Sequence, residues 1–243
     1  MTKGLGRAFE LEAAGKNFLL VARNIHRNFI TSEGVLEVLK GVDLNVNEDD
    51  MLAVVGESGV GKSTLLHILG GLDRPNDGTV EVKGEKFGSK SETELARFRN
   101  RHIGFVFQQQ YLLEDFSALE NVMMPGLIAE KGKTEARGIA EQLLCDVGLS
   151  DRLNHMPRQL SGGEQQRIAV ARALANDPGI VIADEPSGNL DIKTGEKLHD
   201  LLAKLNRTRG ITFLIATHNI DLAKKCRRIV KLENGLVNEV DQG

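Results

Sequence analysis

Tryptophan is missing from the 243 residues, tyrosine occurs once, and aromatic residues make up only 4% of the chain. A hydrophobic share of 41% must therefore be mostly aliphatic, which excludes a core built on stacked rings. Two cysteines, Cys145 and Cys226, cannot supply the disulfide framework of a small secreted fold. They lack metal-type spacing and read as inert thiols of a reducing compartment. No run approaches the roughly 18 apolar residues that cross a bilayer. The opening MTKGLGRAFELEAAGKNF has no apolar h-region, so no signal peptide is expected. If the protein works at a membrane, something else must hold it there. Charge of one sign is also lacking: Lys+Arg 31 against Asp+Glu 34 gives −3, with a pI near 6.1. That balance argues against a wholesale nucleic-acid binder. RFRNRH (97–102) and KKCRR (224–228) are read as solvated helix faces rather than nucleic-acid or headgroup patches. Repeats and low-complexity tracts are absent.

What is present alternates between strand and helix. Residues 1–16 read as a leader. FLLVARNI (18–25), VDLNV (42–46), MLAVV (51–55), GTVEV (78–82), IGFVF (103–107), GIVIA (179–183) and ITFLIAT (211–217) read as strands. KSTLLHILGGL should be a helix closed by Gly70-Gly71, and TELARFRNRH another. Residues 111–160 lose the strand pattern and read as an inserted helical subdomain. A helix from Ser161 is expected to reach Asn176, before Pro178. Leu198, Leu201, Leu202 and Leu205 give a helix with one apolar face that stops at Gly210. IDLAKKC is a helix, and RIVKLENGLVNEV a hairpin turning at Asn234-Gly235. Such alternation predicts an α/β domain over 17–243 with a mostly parallel sheet covered on both faces. Its core is 17–110 and 161–243; its helical part is 111–160.

In such sheets ligands gather at the carboxyl ends of the strands. MLAVV runs into Gly56-Glu57-Ser58-Gly59-Val60-Gly61-Lys62-Ser63-Thr64, a P-loop. Its glycines let backbone N–H groups curl around phosphate oxygens. Lys62 neutralises the β- and γ-phosphates of ATP, and the Ser63 hydroxyl ligates Mg²⁺. GIVIA ends at Asp184-Glu185, where Asp184 would hold Mg²⁺ through water and Glu185 would polarise the attacking water. IGFVF ends at Gln108, assigned to the metal or the lytic water. ITFLIAT ends at His218, assigned to the γ-phosphate. LSGGEQQR (160–167) adds a second helix start suited to an anion, this one without a lysine.

P-loop, Gln108, LSGGEQQR, ADEPSGNLD and ATHN stand in an order that resembles the ATP-binding-cassette ATPases over nearly the whole chain. The resemblance implies a RecA-like P-loop core with an N-terminal antiparallel β subdomain and the inserted helical subdomain. It also implies that two copies meet head to tail. Ser161, Gly162 and Gly163 of one copy then grip ATP held on the other's P-loop, which already supplies the lysine. By the same resemblance Asp191 lies where a D-loop crosses the interface, and Phe29 near the aromatic that stacks on adenine. Asp49-Asp50 stands where the family usually has Gly-Glu and is expected to be a silent turn. Glu164 replaces the family's usual Gln and is expected to leave the serine and glycine contacts intact.

Within the family, LGGLDRPNDG (69–78), YLLEDFSALENVMMP (111–125) and LNHMPRQLSGGE (153–164) are similar to the ATPase subunits of lipoprotein-releasing transporters, relatives of macrolide-exporter ATPases. Such subunits sit on the cytoplasmic face of the bacterial inner membrane and bind integral permease subunits. A cell-division ATPase is one alternative. A soluble cassette of repair or translation is another, although those usually carry two cassettes or a long coiled coil. YLLEDFSALENVMMP, with Met123-Met124, is read either as lining a groove for a partner's cytoplasmic helix or, for any one of its residues equally, as part of the core of the helical subdomain.

Overall fold

The computed structural model describes residues 18–32 and 34–240; the leader expected over 1–16 lies outside them. The architecture rests on β3 (Met51–Val55), β6 (Ile103–Phe107), β7 (Ile180–Asp184), β8 (Thr212–Ala216), β9 (Arg228–Glu233) and β10 (Leu236–Glu239). These form one six-stranded sheet in the order β10-β9-β3-β8-β7-β6. All neighbours are parallel except the β9–β10 hairpin at the edge. Both faces are buried, so these strands read as unbroken apolar runs. Side chains still alternate: Met51, Ala53, Phe213 and Ile215 enter one apolar cluster, and Leu52, Val54, Leu214 and Ala216 the other.

The second cluster is shared with a four-stranded antiparallel sheet ordered β2-β1-β4-β5. It is made of β1 (Leu20–Thr31), β2 (Gly34–Val46), β4 (Asp77–Val82) and β5 (Glu85–Lys86). The β1–β2 hairpin is much longer than the two short strands read from sequence. Its outer half, Gly34–Glu37, is exposed on both faces and therefore shows no alternation. Register shifts between Ala22 and Asn28 further scramble the pattern.

Helices α1 (Lys62–Leu69), α2 (Glu92–His102), α3 (Ala118–Ile128), α4 (Lys133–Asp146), α5 (Gly162–Ala173), α6 (Ile192–Arg209) and α7 (Ile220–Lys225) cover the sheet or extend from it. Helices α2, α3 and α5 each open with a serine–glutamate capping box. Helix α6 ends on Gly210 at φ 63°. Helix α5 stops at Ala173 rather than Asn176: Leu174 turns back onto the carbonyls of Val170 and Ala171, and Asp177 takes φ 52°. Among the described residues no strand lies between Phe107 and Ile180, where α3, α4 and α5 pack into one apolar cluster.

Met123 is 5% exposed and belongs to that cluster, so of the two readings of its stretch it takes the core one. One expectation needs correction: Asp50 is not a silent turn residue. It is 3% exposed, and its Oδ2 accepts from Asn47 N (3.1 Å), Asn47 Nδ2 (2.8 Å) and Arg228 Nη1 (2.9 Å). A partly buried ion pair thus ties the start of β3 to the start of β9. Lys225 of KKCRR is likewise paired, with Asp200.

Candidate nucleotide site

Parallel register brings the four strand ends into a row. Val54 pairs with Ala216, Ala216 with Asp184, and Asp184 with Phe107. Just beyond that line come the glycine loop, His218, Glu185 and Gln108. A cleft of about 280 Å³ is lined by Ser58, Gly59, Gly61, Lys62, Ser63, Thr64, Gln108 and Glu185. Gly56, Glu57 and His218 line the adjoining cavity.

Gly61 caps α1 at φ 108°, and a Cβ there would lie 2.5 Å from Val38 Cγ1, so only glycine lets the loop close against β2. Val60 packs its side chain into the apolar cluster and could offer a ligand only its backbone. Lys62 is 8% exposed, and its Nζ donates to the carbonyls of Gly56 (2.9 Å) and Glu57 (3.0 Å). The ammonium therefore lies across the mouth of the loop, 4.0 Å from Glu185 Oε1.

Glu185 takes φ 46°, and its N–H donates to Ala216 O. Its Oε1 accepts from His218 N (3.1 Å) and lies 2.9 Å from His218 Nδ1. With the carboxylate ionised, Nδ1 carries a proton and Nε2 is turned away from Glu185. Gln108 Nε2 donates to Asn189 Oδ1 (2.9 Å), and Asn189 Nδ2 donates back to Gln108 O (3.2 Å). Asp184 Oδ1 is buried with no hydrogen-bond partner among the described residues. Asp184 does not itself line the cleft, but its bare carboxylate oxygen, the Ser63 hydroxyl and the Gln108 amide oxygen are hard donors of the kind that suits Mg²⁺. Among the described residues no three His, Cys, Asp or Glu side chains form a metal cage.

Ser161, Gly162, Gly163 and Asp191 do not line this cleft. Ser161 and Gly162 are exposed at the mouth of α5. Gly163 is buried where α5 and α6 approach closely, and a Cβ there would clash with Thr194 Cγ2. Asp191 caps α6 through Thr194 N (3.1 Å) and is followed by Ile192, 84% exposed. Phe29 is also outside the cleft, with the Arg27 guanidinium 4.7 Å from its ring centroid.

The profile of the ABC transporter family matches residues 39–188. The chain is 50% identical over 217 residues to the lipoprotein-releasing system ATP-binding protein LolD of Syntrophus aciditrophicus, covering 89% of this chain and 97% of the relative. It is 51% identical over 219 residues to LolD of Porphyromonas gingivalis, covering 90% and 98%. The chain belongs to the ABC transporter family. Its fold matches the dimeric bacterial ABC transporter cassette MJ0796 with a TM-score of 0.84 at 41% identity, covering 92% of this chain and 99% of that one. MJ0796 is also known in a dimeric post-hydrolysis state bound to ADP and Pi.

Several residues of this cassette escaped the sequence reading. Asn189 holds Gln108. Gln166, fully buried, donates from Nε2 to Phe107 O (2.9 Å). Arg172 donates to Gln110 O and Tyr111 O, both at 2.6 Å. The helix that begins at LSGG thus grips the backbone on both sides of Gln108. The only available signal was polar residues on an otherwise apolar helix face, which is common and weak.

Proposed function

We propose that this chain is the ATP-hydrolysing subunit of a lipoprotein-releasing ABC transporter, acting as a head-to-tail dimer on the cytoplasmic face of the inner membrane. The observation that carries the reading is the separation of two half-sites. The P-loop, Glu185, Gln108 and His218 converge at one row of strand ends, while Ser161 and Gly162 stand exposed outside the cleft found there. Identity of 50% and 51%, over most of the chain, with proteins named for lipoprotein release supports the substrate class.

In this reading the P-loop N–H groups and Lys62 bind the β- and γ-phosphates, and Phe29 faces the adenine. Ser63, Asp184 and Gln108 would hold Mg²⁺, which neutralises phosphate charge when bound. Glu185 takes the proton of the attacking water. His218 holds the Glu185 carboxylate in place through its backbone N–H and Nδ1 and is assigned to the γ-phosphate. Ser161, Gly162, Gly163 and Asp191 close over the partner's nucleotide. A helix N-terminus alone is worth only about 0.3–1 kcal/mol at an exposed site, so the signature senses ATP already held rather than capturing it. No described helix is long and apolar enough to cross a membrane, so integral permease subunits would provide the membrane contact.

Glu185→Gln should bind ATP and stall. Purified in mild detergent with ATP, it is expected to carry two polytopic membrane proteins with large extracytoplasmic domains. ATPase stimulation of the wild-type complex by a lipoprotein would separate lipoprotein release from cell-division or macrolide-export roles. Copurification with ribosomes or DNA, or with no membrane protein, would overturn the proposal.

A further inference from the structure

Three helices of this chain open with the same serine–glutamate box, and one of them differs from the other two. In all three the serine hydroxyl donates to its glutamate: Ser91 to Glu94 (2.6 Å), Ser117 to Glu120 (2.7 Å) and Ser161 to Glu164 (2.8 Å). Among the described residues, only the third box accepts a hydrogen bond from an arginine. Arg152 Nε donates to Glu164 Oε1 at 3.1 Å from the short 3₁₀ turn Ser150–Arg152. The Glu164 carboxyl is pulled down to about 2 by the Ser161 N–H first, then by the Ser161 hydroxyl and Arg152, and is fully ionised at neutral pH.

A serine hydroxyl has one proton. Phosphate oxygens of ATP accept and do not donate. If Ser161 is to bind the partner's γ-phosphate, it must withdraw its proton from Glu164. A glutamine in that place would offer a weaker, uncharged acceptor, and its amide could donate to Ser161 Oγ instead. A carboxylate also places a full negative charge next to incoming phosphate, which Arg152 offsets.

We infer that Glu164 is a brake on the signature: it competes with the partner-bound nucleotide for the Ser161 proton, and Arg152 sets how strongly its charge opposes ATP-driven closure. The inference rests on the reading of Ser161 as a ligand of the partner's ATP, and it concerns the regulation of that contact. Glu164 and Arg152 are positioning residues.

The test uses the full chain carrying Glu185→Gln, with dimerisation followed by sedimentation across ATP concentrations at fixed salt. Glu164→Gln is expected to lower the ATP concentration at half-dimerisation about fivefold, the gap between a charged and a neutral hydrogen-bond acceptor. Arg152→Ala should raise it several-fold, and should have no effect in the Glu164→Gln background. Glu120→Gln, the corresponding cap without the arginine and away from nucleotide, should leave it unchanged while lowering the melting temperature, though less than Glu164→Gln, which also loses the charged partner of Arg152. An unchanged or higher ATP requirement for Glu164→Gln, or an Arg152→Ala effect that persists in the Glu164→Gln background, overturns the brake. Ser161→Ala checks the underlying reading separately: a dimer that still forms with ATP would mean that Ser161 is no ligand.

Discussion

His199 is 2% exposed, with Nε2 2.7 Å from Ser187 Oγ and Nδ1 buried without a partner among the described residues. It stands on the inner face of α6, beneath the loop that joins Glu185 to Asp191. Burial is the main cause that lowers its pKa below the ordinary 6.5; Lys225 adds to this, and Asp200, Asp221 and Glu196 oppose it. The folded state therefore holds the ring neutral at a pH where the unfolded chain already binds a proton. Its contribution to stability is complete above about pH 6.5 and is lost as the pH falls toward the depressed folded value, at up to about 1.4 kcal/mol per pH unit. Urea unfolding at several pH values between about 7.5 and 5, spanning the ordinary histidine range, should show the wild type losing stability faster than His199→Gln. Parallel curves would remove His199 from the acid sensitivity. Sequence hid this residue because its meaning depends on Ser187, twelve positions away and in a different element. The P-loop was legible because all its parts are adjacent in the chain. Asp50 was misjudged for the opposite reason: its partner Arg228 is distant, and only the fold makes their pairing visible.

At the scale of elements, α5 carries the signature at its mouth and a clamp along its side. Gln166 holds Phe107 O, and Arg172 holds Gln110 O and Tyr111 O, while Tyr111 sits at φ 46°. The backbone around Gln108 is thereby fixed to the helix that would face the partner's ATP. Arg172→Ala removes two charge-assisted bonds to these carbonyls. Amide exchange of residues 108–113 should speed up at least about tenfold, the consequence of losing roughly 1.5–3 kcal/mol. Turnover should fall several-fold while nucleotide affinity at the P-loop changes less than about twofold, since the clamp lies outside the phosphate loop. Equal losses in both would mean that Arg172 supports the fold generally. Of the elements themselves, the parallel strands were readable because burial on both faces writes them as short apolar runs. The outer hairpin was half-missed because exposure on both faces leaves no period to read.

The molecule as a whole must transmit what happens in its cleft to something outside it. Its described surface leaves several large apolar side chains in water around the helical part, among them Tyr111, Leu113, Phe116 and Ile128. A cavity of about 370 Å³ between that part and the sheet is lined by Leu72, Phe105, Phe107, Pro125, Ile128 and Arg172. Tyr111, Leu113 and Phe116 follow Gln108 in sequence, and the Tyr111 carbonyl is held by the clamp of α5. One short run of backbone, held by the clamp of α5, therefore connects the cleft to this surface. A permease segment docking here would cover apolar area that water now meets. Phe116 is 36% exposed and contributes little to the core, so Phe116→Asp should melt within a few degrees of the wild type. Docking would bury only the exposed third of the ring, worth about 0.5–1 kcal/mol, but Phe116→Asp would also bury an unpaired carboxylate, and the two together should weaken docking about tenfold or more. ATP binding and the basal ATPase of the isolated chain should be unchanged, while stimulation by reconstituted membrane subunits and transport itself are lost. If Phe116→Asp instead unfolds the chain, the side chain belongs to the helical core and the docking surface must be sought elsewhere. If it folds and still couples fully, the permease reaches the cassette by a route that does not pass Phe116.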